Sequence, residues 1–495
     1  MHQDIQTSIM KNASVMLASQ MVTWVSSFVL LLFLPRYLGS KDYGHLYLAI
    51  SLSIILSVVV DFGGTFLIPK SVSRSPDNAA PLISSYIAVR IMLWVAGIAV
   101  LWVFSDIVGY SPLVVGLIII LGVAKLWEEI RKAFRSYFQG IERMGYPSIG
   151  IIVEKVFISL FAVTALLLGY HSVTIALIMA AGALLDLIVC IIYAHRFLPK
   201  LPHFNFGKSV SLLKTGLPYF FWSIFAVIYY RIDAVMLSLM ATDNVVGWYG
   251  GAYRFFDVFM FFPSILTTVM FPILSKLSGA QEDQLVMVLH KGIKYLLSSG
   301  VLVGILVFSF ARQIVVLFLG LKGYTPSIDI LHVFAFGVPF VYVDFILGNA
   351  IIAADKQRQW AVVGFVAIGV NILLNYFLIS HTQVTIGNGG IGAAIATLLT
   401  EVYIMSCAFV LLPGNYFRRI GAGLIFKILT SGIATLGVIW LLKPLPVIWI
   451  IKAIIGVAVY GFSLILLNVI TRSERHSLQS FLSTTNIKTL ISQKG

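Results

Sequence analysis

Long apolar segments recur along the whole chain, separated by short polar turns. Runs such as "FVLLLFLP", "VVGLIIILGV" and "SGVLVGILVFSF" each belong to a segment of about 20 residues, the length that a helix needs to cross the hydrocarbon core of a bilayer. Turn-forming stretches such as "LPRYLGSKDYG", "LKGYTPS" and "HTQVTIGNGG" lie between them. The short alternating strands of a β-barrel are not seen in this pattern. The sequence therefore predicts an all-α membrane protein.

The apolar segments predict about 14 membrane-spanning helices. They lie at residues 12–34, 43–67, 83–105, 112–138, 147–169, 173–197, 210–240, 246–275, 291–319, 326–353, 359–380, 388–412, 422–442 and 446–470. An even number of spans places both termini on the same side of the membrane.

The lysines and arginines indicate which side that is. Of the 34, about 24 fall at the termini and in the even-numbered loops, and about 4 fall in the odd-numbered loops. Since cytoplasmic loops are enriched in Lys and Arg, this asymmetry predicts that both termini are cytoplasmic. We expect the protein in the inner, or plasma, membrane.

Composition supports the membrane class. Of the 495 residues, 59% are hydrophobic and only 11% are charged, and a soluble fold could not bury so much apolar surface. The formal net charge of +14 is spread over short loops, so it follows the topology and does not indicate nucleic-acid binding.

The chain also contains a weak internal repeat. "DYGHLYLAISL" resembles "VVGWYGGAYRF", which aligns Gly44 with Gly247, and "YFQGIERMGY" occupies the position of "IIAADKQRQW". Parallel repeats are a common way to build transporters. We therefore predict an N-terminal lobe of six helices, a cytoplasmic linker, a C-terminal lobe of six helices, two appended helices and a cytoplasmic tail. Their boundaries are 1–198, 199–214, 215–415, 416–471 and 472–495.

Three segments carry a family resemblance. "KNASVMLASQMVTWVSSFVLLLFLPRYLGSKDYGHLYLAISL", "FQGIERMGYPSIG" and "YYRIDAVMLSLMATDNVVGWYGGAYRFFDVF" are similar to segments of bacterial and archaeal polysaccharide flippases. These flippases belong to the multidrug/oligosaccharidyl-lipid/polysaccharide exporter superfamily. The resemblance covers about residues 8–415.

The resemblance implies two six-helix lobes that form a V and open alternately to each side of the membrane. It also implies a central cavity for a polyprenyl-diphosphate-linked oligosaccharide, moved from the inner to the outer leaflet for polysaccharide biosynthesis. We expect a monomer that works beside other polysaccharide-assembly proteins. Neither a cofactor nor a metal is expected.

Charged side chains at membrane depth are candidates for function, because they are costly there unless they face a cavity or a partner. The sequence places thirteen of them inside or at the edge of spans: Asp61, Arg90, Glu154, Lys155, Asp186, Arg231, Asp233, Arg254, Asp257, Arg312, Asp344, Glu401 and Lys452.

A diphosphate needs cations that replace its water, and arginine provides a planar fork of donors. Arg90, Arg231, Arg254 and Arg312 are therefore the candidate substrate-binding residues. Alternatives stay open at this stage, since Arg90 and Arg312 could extend to the headgroups and Arg254 could pair with Asp257 three residues on.

Coupling to protons or sodium needs a buried carboxylate. Asp344 and Glu401, near the middle of two spans, and Asp233 are the candidates. The alternative is a structural hydrogen bond between helices. The neighbouring pair Glu128 and Glu129, beside "RKAFR", is expected to be a solvated charged run.

Other functional classes leave no signature. No phosphate-binding "GxxxxGK[ST]" loop and no metal-ligand spacing occur. A membrane-embedded glycosyltransferase or polymerase would need a sizeable catalytic loop, and no internal loop much exceeds about 20 residues. A cation-coupled multidrug exporter of the same superfamily remains the main alternative. The sequence therefore predicts a transporter and not an enzyme.

Overall fold

The computed structural model describes residues 2–75, 79–197, 206–278, 282–320, 323–412, 421–472 and 474–475. Within these ranges the regular elements are helices, which we number in chain order. They are α1 (His2–Asp61), α2 (Gly64–Arg74), α3 (Ala79–Val108), α4 (Pro112–Gly140), α5 (Gly145–Leu167), α6 (Ser172–His195), α7 (Phe206–Met240), α8 (Asp243–Phe259), α9 (Phe261–Leu277), α10 (Glu282–Phe318), α11 (Ser327–Ala353), α12 (Gln357–Ile386), α13 (Gly389–Leu411), α14 (Ala422–Leu442) and α15 (Trp449–Leu466). The prediction of an all-α membrane protein is confirmed.

Local sequence explains where several helices begin and bend. Gly39 interrupts α1 with φ of 76°, a left-handed value that glycine adopts without strain. Pro112 starts α4, and the side chain of Ser111 accepts a hydrogen bond from the Val114 amide at 3.4 Å. This is the arrangement expected of a serine N-cap followed by proline.

Among the described residues, eleven helical stretches are long and apolar enough to cross a membrane, or twelve if the bent pair at 219–225 and 227–240 forms one span. The predicted number of about 14 is not confirmed. Residues 18–74 count as one stretch of 57 residues, which would be about 86 Å of helix against a hydrocarbon core of about 30 Å. The break at Gly39 divides that stretch. In addition, α4 is not among the eleven, because charged residues crowd its second half.

The chain forms two compact units. The first consists of residues 1–254, 315–330 and 364–396, and its core includes Ile68, Ile83 and Phe138. The second consists of residues 255–314, 331–363 and 397–495. In the second unit, α14 and α15 pack through Ile439 and Tyr460 against Val301 and Ile305 of α10.

The lobes proposed from the repeat remain a prediction. Part of the predicted linker, at 199–205, and most of the predicted tail, at 476–495, lie outside the described residues. The two helices predicted within 416–471 correspond to α14 and α15.

Candidate functional site

Arg90 lies at the centre of a buried ion network that joins α1, α3 and α4. Its guanidinium pairs with the Asp61 carboxylate, and its Nη1 donates to the backbone oxygen of Glu129 at 2.5 Å. Its Nε lies 3.9 Å from Glu129 Oε2. A Cβ atom at Gly64 would lie 2.7 Å from Arg90 Nη2, so this glycine makes room for the arginine. Because an isolated charge is costly in an apolar interior, the pairing is what allows Arg90 to be buried.

One alternative and one expectation about this network are wrong. Arg90 does not extend to the headgroups, since 0% of its surface is exposed. Glu129 is not part of a solvated run, since it is also 0% exposed and accepts hydrogen bonds from Ser57 Oγ at 2.6 Å and Lys132 Nζ at 2.5 Å. Both residues need the network because neither has access to water.

A second network joins α4, α5 and α6 around Arg131. Its guanidinium donates to Glu154 Oε2 at 3.3 Å and pairs with the carboxylate of Asp186. Lys155 Nζ donates to the other oxygen of Glu154 at 2.8 Å. A Cβ atom at Gly150 would overlap the Asp186 carboxylate, so glycine is required where α5 passes α6.

The two networks are linked by a charged side of α4. Its members are Lys125, Glu128, Glu129, Arg131, Lys132 and Arg135. At about 100° per residue they cover an arc of about 160°, with Glu129 at one edge and Arg131 at the other. The edges are buried in the two networks, whereas Lys125 and Glu128, between them, are each 21% exposed. Thus α4 anchors its charged side at both edges and leaves the middle accessible.

A polar pocket of about 310 Å³ opens on this side of α4 in the first unit. Its charged lining comes from α4 and α5: Lys125, Glu128, Arg131, Arg135, Glu154 and Lys155. Polar side chains of α1, namely Ser19, Gln20 and Thr23, complete it together with Met16 and Ile151. Four cations and two carboxylates therefore face one space.

Asp233 occupies a separate polar site in the first unit. It is 2% exposed and accepts hydrogen bonds from Tyr249 Oη at 2.6 Å and Asn375 Nδ2 at 2.7 Å. The same Asn375 amide donates to Asn371 Oδ1 at 2.9 Å. The site thus gathers carboxylate, amide and phenol groups from α7, α8 and α12, and two donors satisfy the buried carboxylate of Asp233.

The remaining arginine candidates occupy different surroundings. Arg231 is partly buried, with its guanidinium 5.8 Å from the centre of the Tyr253 ring. Arg254 is also partly buried, and its Nε donates to Tyr43 Oη at 3.4 Å. Arg312, on α10 of the second unit, is exposed. The structure thus places Arg90 in an ion network and puts Arg231 and Arg254 beside tyrosines.

The second unit contains the two mid-membrane carboxyls and an apolar cavity. Asp344 and Glu401 are 8% and 3% exposed and lie next to each other. The cavity measures about 590 Å³ and lies between α10, α11, α13 and α14, lined by residues such as Val301, Phe336 and Ile433. A space of this kind can hold a lipid chain.

The sequence did not single out Lys125, Arg131 or Arg135, because they precede a predicted cytoplasmic turn. Their angular spacing around the helix axis was the signal that could have identified them. Residues 125 to 135 carry six charges on less than half of the helix circumference, whereas a solvated helix end would carry them all round.

The chain is similar to known protein families and to individual proteins. The model described as "Polysaccharide biosynthesis protein" matches residues 9–278, and the MatE model matches residues 218–377. The chain is 24% identical over 381 residues to the probable low-salt glycan biosynthesis flippase Agl15 of Haloferax volcanii, covering 74% of this chain and 76% of that protein.

Solved structures show a similar fold. The lipid II flippase MurJ in an inward closed conformation matches with a TM-score of 0.75 at 16% identity, over 93% of this chain and 99% of that one. An inward-facing multidrug resistance MATE family transporter of the MOP superfamily matches with a TM-score of 0.59 at 12% identity, over 83% and 95% of the two chains.

Proposed function

Because the chain belongs to the polysaccharide biosynthesis protein family, whose model covers 9–278 of its 495 residues, we propose that it is a flippase for a lipid-linked sugar. The family resemblance predicted from the sequence is thereby confirmed. The proposed substrate is a polyprenyl-(di)phosphate-linked oligosaccharide, moved by alternating access from the inner to the outer leaflet for polysaccharide biosynthesis.

Membrane-embedded cations carry this proposal. A diphosphate headgroup must lose much of its hydration on the way across, and each charge-assisted bond from a cation contributes about 1.5–3 kcal/mol. The polar pocket beside α4 presents Lys125, Arg131, Arg135 and Lys155, and Arg231 and Arg254 are partly buried on α7 and α8. The names of Agl15 and MurJ, which both describe flippases, point in the same direction.

The arginines have different proposed roles. Arg231 and Arg254 bind the diphosphate, since both are only partly buried and each lies beside a tyrosine. Arg90 holds α1, α3 and α4 in position through its ion network and affects substrate binding only indirectly, through the positions of these helices. Arg312, being exposed, would meet the substrate or a lipid headgroup at the protein surface.

Three carboxyls are proposed to couple transport to an ion. Asp344 and Glu401 lie side by side in the second unit, where a pair of carboxyls can bind one proton or cation between them. Asp233 accepts a hydrogen bond from the side-chain amide of Asn375, and the same amide donates to the side chain of Asn371. A chain without its own nucleotide-binding loop needs such an external source of energy.

The relatives found are transporters, so we propose no enzymatic activity. We further propose a plasma-membrane location with both termini cytoplasmic, a monomeric state and contact with other polysaccharide-assembly proteins, on the basis of the charge asymmetry and the family.

A cation-coupled drug exporter is the second candidate, favoured by the MatE match to 218–377. The test uses purified protein in liposomes, loaded in parallel with a fluorescent polyprenyl-diphosphate-linked oligosaccharide and with a cationic dye. Translocation of the lipid-linked sugar without dye transport supports the flippase. Dye transport without movement of the lipid-linked sugar would replace it with the exporter.

A further inference from the structure

The polar pocket beside α4 contains a cation, Arg135, that forms no ion pair within 4 Å in the described part of the chain. Lys125 donates to Glu128 at 2.7 Å, and Glu154 is engaged by Lys155 and Arg131. Arg135 is partly buried and has neither an ion pair nor a hydrogen bond with any residue in the described part of the chain. Its guanidinium is therefore available to an incoming group.

The charge balance of the pocket favours an anion. Four cations and two carboxylates line it. The carboxylate of Asp186, which is not part of the lining, pairs with Arg131, so the group as a whole carries one net positive charge. The two lysine pairs are partly exposed, with Lys125 at 21% and Lys155 at 29%. Both ammonium groups lie at the ends of flexible side chains, so both lysines can turn toward a more highly charged partner.

The size and lining of the pocket fit a headgroup. Its volume of about 310 Å³ equals that of about ten water molecules at ~30 Å³ each. Ser19, Gln20 and Thr23 of α1 add hydroxyl and amide groups to the lining. Arg131 pairs with two carboxylates, those of Glu154 and Asp186, so its guanidinium is a fixed part of the pocket lining.

The predicted topology places this pocket on the cytoplasmic side. Its lining comes from the beginning of α1, the second half of α4 and the beginning of α5, which are the ends of those helices expected to face the cytoplasm. This is the side from which a newly assembled lipid-linked sugar arrives.

We propose that this pocket is a loading site that binds the phosphate or diphosphate of the lipid substrate before it is moved, with Arg135 as the primary contact and Lys125 and Lys155 as adjustable ones. The inference rests on the proposed flippase function and adds a site in the first unit, separate from Arg231 and Arg254.

Binding of farnesyl diphosphate to the full chain in phosphatidylcholine nanodiscs tests the site. Wild-type protein should bind the diphosphate more tightly than farnesyl monophosphate, and farnesol least. Arg135→Ala should weaken diphosphate binding about tenfold or more, and Arg135→Lys less, because lysine keeps the charge and loses the fork. Arg143→Ala is the matched control, since it removes an exposed cation that stacks on Phe197 outside the pocket, and should leave binding unchanged.

Three outcomes would overturn the loading site. One is equal affinity of Arg135→Ala and wild type, and another is an equal loss in the Arg143→Ala control. The third concerns the source of the phosphate: if phosphatidylglycerol displaces the probe as fully as unlabelled farnesyl diphosphate does, the pocket holds ordinary phospholipid headgroups. Arg135→Gln provides a second variant should the alanine form be unstable, and removal of Arg135 leaves no described carboxylate unpaired.

Translocation by wild-type protein separates this inference from the flippase proposal. If wild type moves a lipid-linked oligosaccharide and Arg135→Ala moves it equally well at limiting substrate, the loading site alone fails. If wild type does not move it, the proposed function fails.

Discussion

Gly44 of α1 and Gly247 of α8 pack directly against each other. A Cβ atom on Gly44 would lie 2.9 Å from the backbone nitrogen of Gly247, and one on Gly247 would lie 2.8 Å from the carbonyl carbon of Ser40. Ser40 Oγ donates to Asn244 Oδ1 at 2.8 Å beside this crossing. These are the two glycines that the internal repeat aligned, so the repeated segments meet at equivalent positions.

The first prediction follows from this crossing. In an alternating-access transporter, such a contact is needed only while that end is closed. Gly247→Ala should therefore favour the open state and increase labelling of a cysteine at position 40 by a membrane-impermeant maleimide, in a background with Cys190 and Cys407 replaced by serine. Gly116→Ala, where an added Cβ would have nothing within 4 Å, is the control and should not change labelling. Unchanged labelling in Gly247→Ala would mean that this crossing does not move.

The second prediction concerns the Arg90 network. Arg90→Ala leaves the buried carboxylates of Asp61 and Glu129 short of a cation, which should cost about 3–5 kcal/mol of stability. The thermal unfolding midpoint in detergent should fall clearly, and adding Asp61→Asn should restore part of it. Arg74→Ala, an exposed arginine on α2, should leave the midpoint unchanged. An Arg90→Ala variant with wild-type stability and no transport would instead assign Arg90 a direct contact with substrate.

The sequence was sufficient for the all-α membrane class, because apolar length alone predicts helices in a bilayer. The repeat aligned Gly44 with Gly247 as equivalent positions, but that alignment did not predict that the two glycines are in contact. The partners of the buried charges could not be found in this way. Asp61, Arg90 and Glu129 lie far apart in the chain, and which of them meet depends on how α1, α3 and α4 rotate against each other.

The pocket was missed for a related reason. The run around Glu128 and Arg131 looks solvated because it precedes a basic turn, and only the positions of α5 and α6 show that Glu154 and Asp186 bury its edge. Arg312 lies in an apolar stretch and is exposed, which agrees with the alternative that it extends to the headgroups. Its surroundings depend on neighbouring helices and cannot be read from α10 alone.

The third prediction concerns coupling. Asp344→Asn and Glu401→Gln should each lower transport while leaving the amount of folded protein unchanged, because each keeps the shape of the side chain and removes its charge. Asp233→Asn should do the same if the Asn375 site binds the coupling ion. Transport is measured in liposomes across imposed proton and sodium gradients. Normal transport by all three variants, with unchanged dependence on both gradients, would make these carboxyls structural.

The fourth prediction concerns topology. Reporter fusions near Asn205 and Asn415 should indicate the cytoplasm, and fusions near Asp243 and Asn388 the exterior, as the Lys and Arg asymmetry requires. Asn205 and Asn415 lie outside the described residues, so these fusions also test a part of the chain that the structure does not describe. An exterior signal at Asn205 would overturn the number of preceding spans and the parallel repeat together.

The most direct test of the account is translocation of a labelled polyprenyl-diphosphate-linked oligosaccharide in liposomes by the Arg231→Ala, Arg254→Ala double variant, at matched amounts of folded protein. If the two arginines replace the water around the diphosphate, flipping should be abolished. The corresponding double lysine variant should recover only part of it, because the charge returns without the planar fork. Full translocation by the double alanine variant would contradict the proposed role of these arginines in carrying an anionic headgroup across the membrane.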